Sequence, residues 1–269
     1  MWRAPRTGIL LWQLLALTWV LCLVGSLFAI GLSPYGTDIP SACARLFTTA
    51  AEGLSPVHIS VVALGLALLV AVLVALVMSW VAVSRLRHRH RSVLALVARR
   101  DPAGREALVV DHPLAVAYCV PGLRGNVVLS SGALDMLTDE QVAAVVAHER
   151  THLRERHDLV LLPFTVLRRL MPRIRLVALA VAAVGLLVEM RADEGACRGE
   201  HAGALSTALR RFSVLAVSPP PGTLGVADAA ISARLDRIRD ARPLPRVFCW
   251  LVLVTGLVLV STPVSFLIW

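Results

Sequence analysis

Apolar positions along this chain form three long uninterrupted runs, with shorter periodic stretches between the second and the third. Gly8 to Leu32, Val57 to Ser84 and Val247 to Trp269 contain no Asp, Glu or Arg. Each satisfies the roughly 20 apolar residues needed to cross about 30 Å of hydrocarbon, so each is predicted to be a transmembrane helix. The first run follows Arg3 and Arg6 and precedes Ser41-Ala42-Cys43-Ala44, which resembles a small-residue cleavage site. A secretory signal core spans only about 7–15 residues, and the length of this run reads as an anchor. The expected layout is an N-terminal transmembrane hairpin over 1–84, a soluble block over 85–246 and a C-terminal transmembrane helix over 247–269.

Inside the soluble block the period changes. Asn126-Val127-Val128-Leu129-Ser130-Ser131-Gly132 is a β-branched apolar run ending in turn residues, and predicts a strand. Thr138 followed by Gln141 three residues on is a capping box, and Asp139 and Glu140 suit the positive end of a helix dipole. Val142, Val145 and Val146 then repeat at helical spacing. Further on, Leu159–Leu167 and Leu176–Val188 are uncharged runs of nine and thirteen residues separated by Arg168, Arg169, Arg173 and Arg175. Each is too short to cross a bilayer alone, so the insert 159–188 is either a membrane-dipping hairpin or a pair of packed core helices. Pro219-Pro220-Pro221-Gly222 reads as a loop, and Pro243 and Pro245 separate the block from the last span.

Composition agrees with a lipid environment. The 269 residues are 57% hydrophobic and 17% charged, with a net charge of +9. A typical soluble domain is about 45–50% apolar and about 25% charged. All 27 basic residues are arginine. Nucleic-acid binding requires those charges on one exposed face, and no such motif is present; the arginines flank the apolar runs instead. Arg3 and Arg6 precede the first span and Arg85, Arg87, Arg89 and Arg91 follow the second, whereas Ser33–Pro56 holds only Arg45. The arginine bias puts the soluble block in the cytoplasm and the C-terminus outside. His88 and His90 in that run read as part of a topology anchor facing anionic lipid. The five cysteines are scattered without a C-x-x-C pair, so neither a disulfide framework nor a cysteine zinc site is indicated.

The chemistry lies in His148-Glu149-Arg150-Thr151-His152. This is H-E-x-x-H on a predicted helix: residues four apart share a face, so both imidazoles can converge on one ion while the glutamate reaches its water. A catalytic zinc needs a third protein ligand and an open position. Glu189 and Asp193 follow directly on the uncharged run Leu176–Val188, where a carboxylate is costly unless solvated, paired or bound to a cation. They too share a helix face. Either can ligate while the other orients a ligand histidine; the competing reading is a charge cluster in which Arg191 neutralises both. His201 and Arg237 are the candidate donors for a developing oxyanion. His58, His112 and His157 lack convincing ligand spacing, with His157 off the metal face.

H-E-x-x-H followed by E-x-x-A-D resembles the integral-membrane metallopeptidases of the Bla/Mec regulatory type and their HtpX-like and prenyl-protease relatives. Val127–Gly132 through Leu137–Glu149 is similar to the Bla/Mec pattern, and Ser232–Arg239 resembles its later R-I segment. The resemblance implies a mainly α membrane protein with a zincin-like α+β peptidase domain, Zn²⁺ held by His148, His152 and Glu189, Glu149 as general base and Asp193 supporting a histidine. HtpX-like relatives carry a histidine six residues before the R-I arginine; Ile231 stands there, which favours the Bla/Mec branch. Long sensor forms continue beyond the last span into a ligand-binding domain, whereas this chain ends at Trp269, which puts an antibiotic-sensing role in doubt. The expected function is a zinc metalloendopeptidase acting on protein or peptide at the cytoplasmic side of a cell membrane. Two other readings stand beside it: a signalling protease that cleaves a cytoplasmic transcriptional repressor, and a non-catalytic scaffold with a structural metal.

Overall fold

The computed structural model describes residues 2–36, 38–48, 52–122, 125–197, 201–215, 224–240, 242 and 244–268. The expected loop at Pro219–Gly222, Pro243 and the terminal Trp269 lie outside these. The chain divides into two compact units: Met1–Arg6, Trp80–Leu162 and Val181–Pro243 form one, and Thr7–Ser79, Pro163–Ala180 and Leu244–Trp269 the other.

The second unit is helical. It draws on helix α1 (Pro5–Leu32), α2 (Ile39–Thr48), the first part of α3 (Pro56–Val97) and α10 (Arg246–Ile268). Among the described residues three helical stretches, Pro5–Tyr35, Pro56–Val97 and Arg246–Ser265, are long and apolar enough to cross a membrane. Their apolar side chains are largely exposed, as at Leu66, Leu73, Val77 and Trp250. Such faces are tolerable in hydrocarbon, where solvent is as apolar as the side chain. Leu32, Ala42 and Val62 form a small core joining α1, α2 and α3.

The insert is a pair of helices, α6 (His157–Leu170) and α7 (Arg175–Ala196), with the four arginines at and beside the turn between them. Residues Pro163–Ala180 of this pair belong to the same unit as the apolar helices. Pro163, Val166 and Leu167 border an apolar cavity of about 560 Å³ together with Leu14, Leu76 and Trp250, and Arg169 donates to Ser79 Oγ at 3.1 Å.

The first unit is built around a four-stranded mixed sheet of β1 (Arg99–Arg100), β2 (Ala107–Val110), β3 (Ala117–Val120) and β4 (Asn126–Ser130), in the order β1-β2-β4-β3. Strands β2 and β4 run parallel, while β1–β2 and β3–β4 are antiparallel. The alternation of side chains across a strand sorts the apolar run of β4 between two faces. Val127 and Leu129 join Val142, Val145 and Val146 in the main core, while Val128 meets Leu94 and Val120 on the other side. The expected turn at Ser131-Gly132 is instead the start of a short helix, α4 (Ser131–Met136), because the Ser130 hydroxyl accepts from Ala133 N and caps it.

Helix α5 (Asp139–Arg154) begins at the predicted capping box: Thr138 Oγ1 accepts from Gln141 N and Gln141 Oε1 from Thr138 N. Its apolar face packs on the sheet and on α8 (Ala202–Leu215), and α9 (Leu224–Arg239) follows. Helix α7 approaches α5 so closely at Gly195 that a Cβ there would fall on the Thr151 side chain.

Candidate metal centre

Helices α5 and α7 bring the predicted groups together. His148 and His152, one turn apart on α5, put their Nε2 atoms 3.1 Å from each other. Glu189 on α7 lies with Oε2 3.5 Å from His148 Nε2 and Oε1 3.6 Å from His152 Nε2. Single donor atoms from these three residues all fall within 4.8 Å of one another. Asp193, one turn further along α7, lies behind the first histidine, with Oδ1 3.0 Å from His148 Nδ1. Of the two carboxylates the sequence leaves open, Glu189 therefore faces both Nε2 atoms and Asp193 lies behind His148.

Arg191 does not neutralise this pair. Two residues from each acid, it projects from a different side of α7, where it is buried against Glu155 and Glu194. The neutralising cation is Arg234 of α9, whose Nε and NH2 donate to the two Asp193 oxygens at 2.8 Å each, with NH1 3.1 Å from Glu189 Oε2. Arg234 lies inside the segment read as an R-I motif, and only the fold distinguishes it from its neighbours. The predicted oxyanion candidates sit elsewhere: Arg237 is held by Glu194 and the Trp2 carbonyl. His201 stands at the start of α8, where its carbonyl accepts from Leu205 N. Phase is the reason for the first, since positions 234 and 237 lie on one side of α9 but a turn apart, and only 234 is level with Asp193.

A cleft of about 300 Å³ opens at the histidines. His148, Glu149, Glu189 and Arg234 provide its polar wall, and Val116, Val145, Leu209 and Phe212 are part of its apolar one. Burial raises Glu149 above the ordinary carboxylate value, against the opposing pull of His148. The Cys119 thiol of β3 faces Glu149; burial first, and that carboxylate second, push it up to about 12. Burial disfavours charge on His148, but Asp193 and Glu189 outweigh it and bring the imidazole to about 9. On His152 burial prevails over Glu189 and lowers it to about 4. Burial would raise Glu189; His148 and Arg234 instead hold it at about 2.

His157, set aside from its spacing, is also here. Its Nδ1 is 2.9 Å from His152 Nδ1 and its ring is buried. The chain reaches this arrangement because α5 ends at Arg154 and Arg156 adopts a left-handed conformation, φ 52°. A continued helix would have carried residue 157 round to another face. His112 and His58 have local roles: the His112 backbone N–H donates to Ser131 Oγ, and the His58 ring pairs with Ser55.

The donor set fits a zinc ion: two imidazole nitrogens and one carboxylate, with a cleft beside them for water or substrate. His148 Nδ1 lies 3.0 Å from Asp193 and His152 Nδ1 2.9 Å from His157, which turns both Nε2 atoms toward each other and toward a carboxylate, the disposition that a cation would fill in place of the ring proton. This architecture and donor set are those of a membrane-associated metallopeptidase. A family model described as Peptidase family M48 matches residues 82–218, about half of the chain, and the chain belongs to that family of zinc metallopeptidases. The expectation of an H-E-x-x-H membrane metallopeptidase is thereby borne out at the level of this family. No curated protein and no solved structure matches the chain.

Proposed function

We propose that this M48 peptidase is an integral-membrane zinc endopeptidase that hydrolyses peptide bonds on the cytoplasmic side of a cell membrane. In this reading 1–84 and 247–269 are the membrane-spanning parts and 85–246 carries the chemistry. The 159–188 helix pair dips toward the membrane, a reading supported by the place of Pro163, Val166 and Leu167 on the wall of an apolar cavity shared with the spanning helices. The arginine distribution supports the sidedness. The observation that carries the proposal is the convergence of His148, His152 and Glu189 on one point beside a cleft that Glu149 also lines.

His148, His152 and Glu189 would hold the zinc, which would supply a lowered pKa for a bound water and polarisation of the scissile carbonyl. Glu149 accepts the proton of the attacking water and delivers it to the leaving amine, and its burial favours the protonated form it must briefly adopt. Arg234 lines the cleft, and the guanidinium N–H groups not taken up by Asp193 and Glu189 fill the oxyanion role in place of Arg237 and His201. The extended substrate aligns along β3, the sheet edge next to the cleft; such an edge offers unpaired backbone groups.

The test is Glu149→Gln in the full-length protein purified in detergent. It should retain zinc and lose cleavage of peptides that the native protein cuts. Undiminished cleavage would sink the assignment of Glu149, and a protein that cuts nothing while holding zinc would favour the scaffold reading. Comparing proteome-derived peptides cut by native protein and by Glu149→Gln identifies the substrate, and a cytoplasmic repressor among them would place this chain in the Bla/Mec branch.

A further inference from the structure

We infer that His157 is a positioning residue for the metal site, acting through His152 as part of a buried relay that runs back to Glu155 and Arg191. The inference rests on the proposed reading of His152 as a metal ligand. It starts from an asymmetry. His148 has a carboxylate behind it, Asp193. His152 has another imidazole, with the two Nδ1 atoms 2.9 Å apart and the rings nearly perpendicular at 86°.

Two ring nitrogens at that distance must share one proton: one carries N–H and the other presents a lone pair. His152 turns Nε2 toward His148 and Glu189, so Nε2 supplies the lone pair for a metal and the proton resides on Nδ1. His152 Nδ1–H therefore donates, and His157 Nδ1 accepts. His157 must then carry its own proton on Nε2. Among the described residues nothing hydrogen-bonds that atom, but it faces Glu155 Oε2 at 3.7 Å. Glu155 is gripped by Arg191, whose Nε and NH2 lie 2.8 and 2.5 Å from its two oxygens. Arg191 is itself buried. The proton positions on the two rings thus follow from the metal-facing side of His152, and the Glu155–Arg191 pair stands behind His157 as the charge that its Nε2–H faces.

A lone pair at this point does two things. It selects the tautomer in which Nε2 of His152 is free to ligate, and it stops the ring from rotating about its Cβ–Cγ bond. Partners of this kind behind a ligand histidine typically affect metal affinity by roughly 10–100-fold. The left-handed Arg156 is what turns His157 back onto the site, so the relay depends on the way α5 ends.

The experiment is zinc affinity of the full-length protein in detergent, read by competition with a chelator of known affinity. His157→Leu removes the acceptor and should weaken zinc by roughly 10–100-fold. His157→Asn puts an amide oxygen near the Nδ1 position and should stay within a few-fold of native. His157→Gln carries its amide further out, to the Nε2 position, and should bind as weakly as His157→Leu. This Asn-over-Gln order keeps the test informative even if His157→Leu does not fold. Equal affinity in native protein and His157→Leu, or Gln equalling Asn, overturns the positioning role alone. A native affinity indifferent to His148→Ala and His152→Ala overturns the metal-site reading and this inference with it.

Discussion

Asp193 holds His148 Nδ1 at 3.0 Å with one oxygen while both of its oxygens receive N–H bonds from Arg234. One carboxylate thus joins the H-E-x-x-H helix to α9, and its charge is used twice. Asp193→Asn keeps the shape but removes the charge that makes His148 a better base. Zinc affinity should fall by roughly 10–100-fold, with the helix content of the protein unchanged. Chelator competition checks the first and circular dichroism the second.

Arg234→Gln removes the cation from two acids at once. Breaking one partner from a buried ion pair costs about 3–5 kcal/mol; Glu189 is partly exposed at 38%, which places the expected loss at the low end of that range. Arg234→Lys should recover only part of it, since an ammonium cannot make the two-pronged contact with Asp193. Thermal unfolding of the metal-free variants reports the stability. In the loaded protein Arg234→Lys should lower kcat more than it raises KM, as expected for a group that meets the substrate chiefly in the transition state.

Metal removal should abolish cleavage and lower thermal stability together. A ligand that binds only the folded state stabilises it by about 2.7 kcal/mol at a hundred times its Kd. Dialysis against chelator should therefore shift Tm downward, and zinc should restore both Tm and activity. His148→Ala should show neither the shift nor the recovery. A zinc-dependent Tm change that persists in His148→Ala would place the ion elsewhere.

Much of this was legible in the chain because it is local. The capping box, the valine stripe and the i,i+4 histidines need nothing beyond α5 itself, and the apolar runs name their own solvent. What was not legible depends on how helices meet. Glu189 and Asp193 share a face of α7, so only the height at which α7 crosses α5 decides which one joins the histidines. Arg234 reaches Asp193 across 41 positions of sequence, and nothing in the local pattern separates it from Arg237. The proximity of His157 to His152 is hidden for a sharper reason: helical phase carries it away, and a single left-handed residue, Arg156, reverses that.

Glu155 carries the acid sensitivity of the network behind the site. Burial would raise its pKa, but Arg191 and Arg6 hold it at about 2, below its ordinary 4.5. A carboxylate depressed by folding stabilises the native state above its unfolded pKa, and that contribution disappears as pH falls through the folded value. The metal-free protein should therefore lose stability progressively between about pH 4.5 and 2. Glu155→Gln should be less stable at neutral pH and should show a shallower decline across that window. Equal slopes for native and variant would remove Glu155 from the account.

Gly195→Ala tests whether the approach of α7 to α5 sets the geometry of the metal site. Gly195 lies within a helix, where alanine is ordinarily favoured by about 1 kcal/mol. Here the added Cβ would meet the Thr151 hydroxyl, its methyl and its Cβ, so overpacking of about 1–3 kcal/mol should prevail. The displacement would separate Glu189 and Asp193 from His148 and His152, and zinc affinity should fall along with Tm. Thr151→Ala deletes the two outer atoms but leaves the Cβ, so the double variant should recover in part. A double-mutant cycle read in both Tm and zinc affinity then separates local packing from site geometry. Recovery of Tm without recovery of affinity would mean that the α5–α7 spacing does not govern the ligands.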